Sequence, residues 1–296
     1  MSSHPVAGLG KRIIEGAVEA SGRCLARLPR AARARGAFVL GWVLWRCEIH
    51  RPPPFPALFP DGAPAALRGR LRAYFTQRAM ALFNLAEALW GDAGRVLVQV
   101  SVTGWPDILA LQRRGIPVIL LGAHFINLPV AVRALAERVP IGLVARLFRH
   151  AALRRPLARL ASRTGGKLVD GCDAREICRR LRHGETVVIL ADYPEPAGSP
   201  TATDRIERLA RATRAVVLPL SCRRIDGRLS LAVGTPLPHD QMTDAAVRAL
   251  YAEWITQAPM DYLWPRAAGT AITIPPTADV NGRPQQRGMP ARCGFW

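Results

Sequence analysis

Pro117-Val118-Ile119-Leu120-Leu121-Gly122-Ala123-His124-Phe125-Ile126-Asn127-Leu128-Pro129 is the stretch on which the fold turns. It opens on a short apolar run with β-branched residues, which predicts a strand over 117–121. Similar runs recur at 95–100, 141–145, 186–191 and 215–220, separated by helical patterns, as in successive βαβ units of a largely parallel sheet. Asp226-Gly227 then reads as a hairpin turn into an antiparallel strand over 228–233. Ligands of open α/β sheets bind beyond the carboxyl ends of the strands. His124, Arg146 and Asp192 each follow a predicted strand end, so they are expected to converge on one cleft.

Outward from this core, residues 11–35 carry an amphipathic helical pattern (Ile13, Ile14, Ala17, Val18, Leu25, Leu28), broken at Pro29 and suited to lying on a surface. The apolar run 36–45 is about half the length needed to span a bilayer. Six prolines in 51–64 mark an irregular connector. Leu67, Leu71, Phe75, Leu82, Ala86 and Leu89 then predict a long helix ending near Gly91. Three regions result: an N-terminal amphipathic helical region with its proline-rich connector (1–64), an α/β domain (65–266) and a disordered tail rich in Gly, Pro, Ala and Arg (267–296).

A chain of 296 residues with 49% hydrophobic content buries one large core. Its formal net charge of +19, from 41 basic and 22 acidic side chains, calls for an anionic partner: lipid headgroups, nucleic acid or an acidic carrier protein. Nucleic acid has only the charge in its favour, because no helix-turn-helix, zinc spacing or aromatic platform is present. Six cysteines without a Cys-x-x-Cys pair point to neither metal ligation nor structural disulfides, and fit a reducing compartment. No signal-peptide pattern is evident.

His124 is the residue best placed for chemistry. As a general base it would take a proton from a hydroxyl attacking an activated acyl group, with one ring nitrogen basic and the other oriented. Asn127, through its amide oxygen, Asp192 across the cleft, or a backbone carbonyl can supply that orientation. Pro129, five residues on, cannot. Arg146 opens an acid-free stretch through Val169 that includes Arg149, Arg154 and Arg155, either a solvated helix face or an anion-binding surface beside the cleft. Arg146, Arg149 and Tyr193 are the expected substrate-binding side chains. The remaining histidines have no ligand spacing, so no metal site is expected, and no Gly-x-Ser-x-Gly elbow, Walker loop or complete dinucleotide fingerprint occurs.

His124-Phe125-x-Asn127, the 144–146 strand end, the stretch from Gly184 to Asp192, the helix and strand over 206–219 and Pro259-x-x-Tyr262-x-Trp264 occur in an order that resembles the late acyltransferases of lipid A biosynthesis. The resemblance covers roughly residues 37–266. It implies an α/β fold with a mostly parallel central sheet flanked by helices, glycerolipid-acyltransferase-like, with an N-terminal helical membrane-facing region. It further implies an enzyme on the cytoplasmic face of the inner membrane, peripheral or weakly anchored. Such an enzyme moves a fatty acyl group from a thioester of acyl carrier protein or CoA to a hydroxyl of a lipid or glycolipid, the thioester being a co-substrate and no cofactor being needed. In that family the histidine works with the acid of a His-x-x-x-x-acid motif, and here Pro129 stands in the acid's place. The loop 193–203 is shorter than the family's, and a catalytically inactive relative that binds carrier protein or lipid is the alternative.

Overall fold

The computed structural model describes residues 5–48, 64–145, 158, 162, 168–170, 173–192, 200–226 and 228–264. Its strands are β1 (Val100–Thr103), β2 (Val118–Gly122), β3 (Ile141–Ala145), β4 (Leu168–Asp170), β5 (Thr186–Leu190), β6 (Val216–Ile225) and β7 (Arg228–Val233). They form one sheet in the order β1-β7-β6-β2-β5-β3-β4. The helices are α1 (Pro5–Arg27), α2 (Arg30–Glu48), α3 (Pro64–Trp90), α4 (Ala93–Gln99), α5 (Trp105–Arg113), α6 (Leu128–Ala136), α7 (Ala174–Arg182), α8 (Ala202–Thr213) and α9 (Asp244–Gln257).

β2 lies at the centre, with Val118, Ile119, Leu120 and Leu121 all buried, which is why its sequence is continuously apolar rather than alternating. It pairs in parallel with β5 on one side and β6 on the other, and β3 and β4 extend the parallel set beyond β5. β6 turns back at Asp226, which takes the left-handed conformation at φ 49°, and β7 pairs with it antiparallel. β1 runs parallel to β7 at the edge. Five strands therefore point one way and two the other, giving a mixed sheet that keeps the expected parallel core.

The chain leaves β2 toward β3 but leaves β5 toward β6, in opposite directions across the sheet. Right-handed crossovers then put α6 and α8 on opposite faces. Accordingly α6 packs with α3 and α4, whereas α8 packs with α7 and α9.

Two local expectations need correction. The run 95–100 is not a strand: residues Ala93–Gln99 form α4, started by the Asp92 carboxylate accepting from the Arg95 N–H, and the strand begins only at Val100. Val96 faces the core while Val98 is 71% exposed, so this β-branched sequence serves as one amphipathic turn pair. β4 is a three-residue strand with no matching sequence expectation. The proline-rich segment 51–63 and the tail 267–296 lie outside the described residues.

The N-terminal helices dock on the α/β unit. α1 and α2 both pack against α3. At the α2–α3 crossing Ala37 and Ala79 are fully buried, and a Cβ on Gly41 would sit 2.6 Å from the Thr76 Cα, so the two backbones meet over small residues. Next to this contact, Arg33 of α2 donates through Nη1 to Glu87 Oε2 of α3, and Gln99 of α4 donates to Glu87 Oε1 at 3.0 Å. Glu87 has no solvent exposure. Arg133 of α6 adds a bond to the Ala88 carbonyl at 2.9 Å, tying the helix after β2 to the same place. No helix among the described residues is long and apolar enough to cross a membrane.

Candidate active site

Register brings the two central polar residues together. Gly122 ends β2 directly beside Leu190 at the end of β5, so His124 and Asp192, each two residues further along, leave the sheet side by side. The His124 ring accordingly meets the carboxylate, Nδ1 lying 2.6 Å from Asp192 Oδ1. The other carboxylate oxygen, Oδ2, accepts from the His124 backbone N–H at 2.9 Å and from the Tyr262 hydroxyl at 2.9 Å. The Asp192 side chain is sealed from solvent, whereas the His124 side chain keeps 29% of its surface.

Such a pair has a defined chemical capability. A carboxylate accepting at Nδ1 holds the imidazole proton on that nitrogen and leaves the lone pair on Nε2, the form a general base needs. When Nε2 takes up a proton, the buried negative charge stabilises the imidazolium. The charge of Asp192 is felt nearby: burial first, and this carboxylate second, push the phenol of Tyr251 on α9 well above its ordinary range.

A segment from the far end of the chain closes over the pair. Phe125 and Tyr262 form an antiparallel bridge, the Ile126 N–H donates to the Asp261 carbonyl at 2.7 Å, and the Leu263 N–H donates to the His124 carbonyl at 2.8 Å. The Tyr262 ring stands edge-on to Phe125 at 6.0 Å and to Trp264 at 5.1 Å. The Trp264 N–H donates to the Tyr74 hydroxyl of α3 at 3.2 Å, and its indole N–H to the Pro259 carbonyl at 2.9 Å. The sequence singled out Pro259, Tyr262 and Trp264 as a motif but gave Tyr262 no contact. Its partner lies 70 residues away, beyond the reach of any local pattern.

Asn127 does not orient the imidazole. It sits at the N-cap of α6, 2% exposed, and its amide oxygen accepts from Asn84 of α3 at 2.8 Å, while the ring nitrogen it was expected to serve faces Asp192. Its Nδ2 is buried and has no hydrogen-bond partner among the described residues. Pro129 occupies the first turn of α6, where a missing N–H is of little consequence. Arg146, Arg149 and Tyr193 lie outside the described residues.

The profile of the bacterial lipid A biosynthesis acyltransferases matches residues 55–266. The chain belongs to that family. The matched span includes His124, Asp192 and Tyr262 and begins after α2. Among solved structures, the crystal structure of the 1-acyl-sn-glycerophosphate (LPA) acyltransferase PlsC from Thermotoga maritima is similar at 14% identity and a TM-score of 0.36, over 77% of this chain and 95% of that one. No curated relative matches the chain. As a lipid A biosynthesis acyltransferase by family, the protein has acyl transfer as its general activity, and its strand-end histidine is the group to ask about.

Proposed function

We propose that this family member transfers a fatty acyl group from a thioester of acyl carrier protein or CoA to a hydroxyl of a lipid or glycolipid acceptor, with His124 as general base and Asp192 as its orienting acid. The observation that carries the reading is the 2.6 Å contact between His124 Nδ1 and Asp192 Oδ1 beside a partly exposed imidazole. Nε2 takes the acceptor's hydroxyl proton as the oxygen attacks the thioester carbonyl. The tetrahedral adduct then expels the thiolate, which takes the proton back from Nε2 and leaves as thiol, so that ester and thiol are the products. In this reading the acid absent at Pro129 is replaced from the neighbouring strand rather than lost. An inactive binding protein, the alternative, has no need of an assembled base and acid.

The test is acyl transfer from acyl-CoA and from acyl carrier protein by wild type and His124→Ala. His124-dependent ester formation with either donor is the expected result, and equal rates in the two proteins would sink the reading.

We place the enzyme on an anionic membrane surface, the cytoplasmic face of the inner membrane, through α2 and α3. Phe38 (52% exposed), Val39 (61%), Trp42 (43%) and Val43 (41%) share one face of α2. Arg72 covers Phe38 at 5.1 Å and Arg46 covers Trp42 at 5.8 Å. α2 has no acid before Glu48, and the single acid of α3 is the buried Glu87. An apolar stripe rimmed by arginines suits a helix lying in the headgroup layer. Phe38→Ser with Trp42→Ser is expected to lower cosedimentation with phosphatidylglycerol vesicles about tenfold or more, given the apolar area lost. Unchanged cosedimentation would remove this face from the binding surface.

A further inference from the structure

The two oxygens of Asp192 have different duties. Oδ1 meets the His124 ring, while Oδ2 receives two donors, the His124 backbone N–H and the Tyr262 hydroxyl. The torsion that swings a carboxylate about its own axis is broad and roughly two-fold, and both contacts from His124 come from one residue of one loop, so carboxylate and ring can rock together. The phenol supplies a second point of attachment from another part of the chain. That phenol is itself fixed: Tyr262 has no solvent exposure, its backbone bridges to Phe125, its ring is wedged between Phe125 and Trp264, and Tyr74 of α3 holds the Trp264 N–H.

We propose that Tyr262 is a positioning residue whose hydroxyl pins Oδ2 of Asp192, thereby aiming Oδ1 at His124 and limiting how strongly the carboxylate holds the ring's proton. The inference rests on the acyl-transfer reading for its kinetic consequence but not for its electrostatic one. A hydroxyl donating to a buried carboxylate spreads part of its negative charge, so the paired imidazolium gains less from it. Among the described residues, the carboxylate faces His124 from the loop after β2, the Tyr262 phenol from the closing segment and, electrostatically, the Tyr251 phenol from α9. Asp261, the neighbouring acid, is engaged elsewhere, its Oδ2 accepting from the Arg224 N–H of β6 at 2.9 Å.

Tyr262→Phe keeps the ring and both edge contacts and removes only the hydroxyl. Imidazole nitrogen signals of His124, followed by NMR across pH, are expected to change at higher pH than in wild type. With acyl donor present, kcat at neutral pH is expected to fall about tenfold with KM changed less than about twofold, the loss shrinking as pH rises. Tyr74→Phe loosens the same segment without touching the carboxylate. It is expected to lower the melting temperature while the His124 titration stays put, which separates positioning from mere structure. If Tyr262→Phe fails to fold, 3-fluorotyrosine placed at 262 preserves every contact with a stronger donor, and the titration is expected to move downward. A His124 titration unmoved in a folded Tyr262→Phe, or unmoved by the fluorinated residue, overturns the inference. Wild type without His124-dependent acyl transfer would refute the reaction instead, and the titration would still decide the role of Tyr262.

Discussion

His124→Ala is expected to lower kcat for acyl transfer about a hundred- to ten-thousand-fold, the usual contribution of a positioned general base. Asp192→Asn should lose a comparable amount for a different reason. An asparagine side chain can present its NH₂ to Nδ1, which forces the ring proton onto Nε2 and leaves no lone pair facing the acceptor. Because the two residues act as one unit, the double variant is expected to be no slower than the slower single. Rates measured for all four proteins, with the donor saturating, check this. Multiplicative losses in the double variant would show that Asp192 serves something other than His124. Pro129→Glu is a companion to the series: the imidazole face that a carboxylate would occupy already meets Asp192, so no gain in rate should accompany the restored acid.

Glu87→Ala is expected to destabilise the fold by about 3–5 kcal/mol. The carboxylate is fully buried, both of its oxygens are used, and its removal strands the Arg33 guanidinium, itself 5% exposed, against α3 without a counter-charge. Urea unfolding of wild type and variant measures the difference. Replacing both partners with methionine leaves no orphaned charge and should recover most of it, since a buried ion pair contributes little over well-packed apolar side chains. A Glu87→Ala protein as stable as wild type would mean that Arg33 finds other partners.

The sequence made the central sheet readable because periodicity is a local property. The runs at 117–121, 141–145, 186–191 and 215–220 each became a strand, and the hairpin at Asp226 was visible from its turn residues. Where β-branched residues fill a helix, as in α4, the same signal misleads, although Asp92 ahead of it is a helix-starting residue that could have corrected the reading. At the site, His124 and Asp192 were nameable because both stand at strand ends. The choice between Asp192 and Asn127 was not, since it depends on the β2–β5 register and on Asn84 occupying the Asn127 oxygen from another helix. Glu87 could have been flagged as a lone acid between Leu85, Ala88 and Leu89, but its partner Arg33 lies 54 residues upstream.

The strap formed by Asp261, Tyr262 and Leu263 also bears on the protein's biogenesis. The amide of Ile126 and the carbonyl of His124 meet partners in residues beyond 260, and Oδ2 of Asp192 takes one of its two donors from there. On the ribosome, the loop after β2 therefore keeps water on these backbone groups until nearly all of the matched region has been translated. A chain released early would hold the His124 ring in an unfinished frame, without the phenol and the aromatic cluster that close over it.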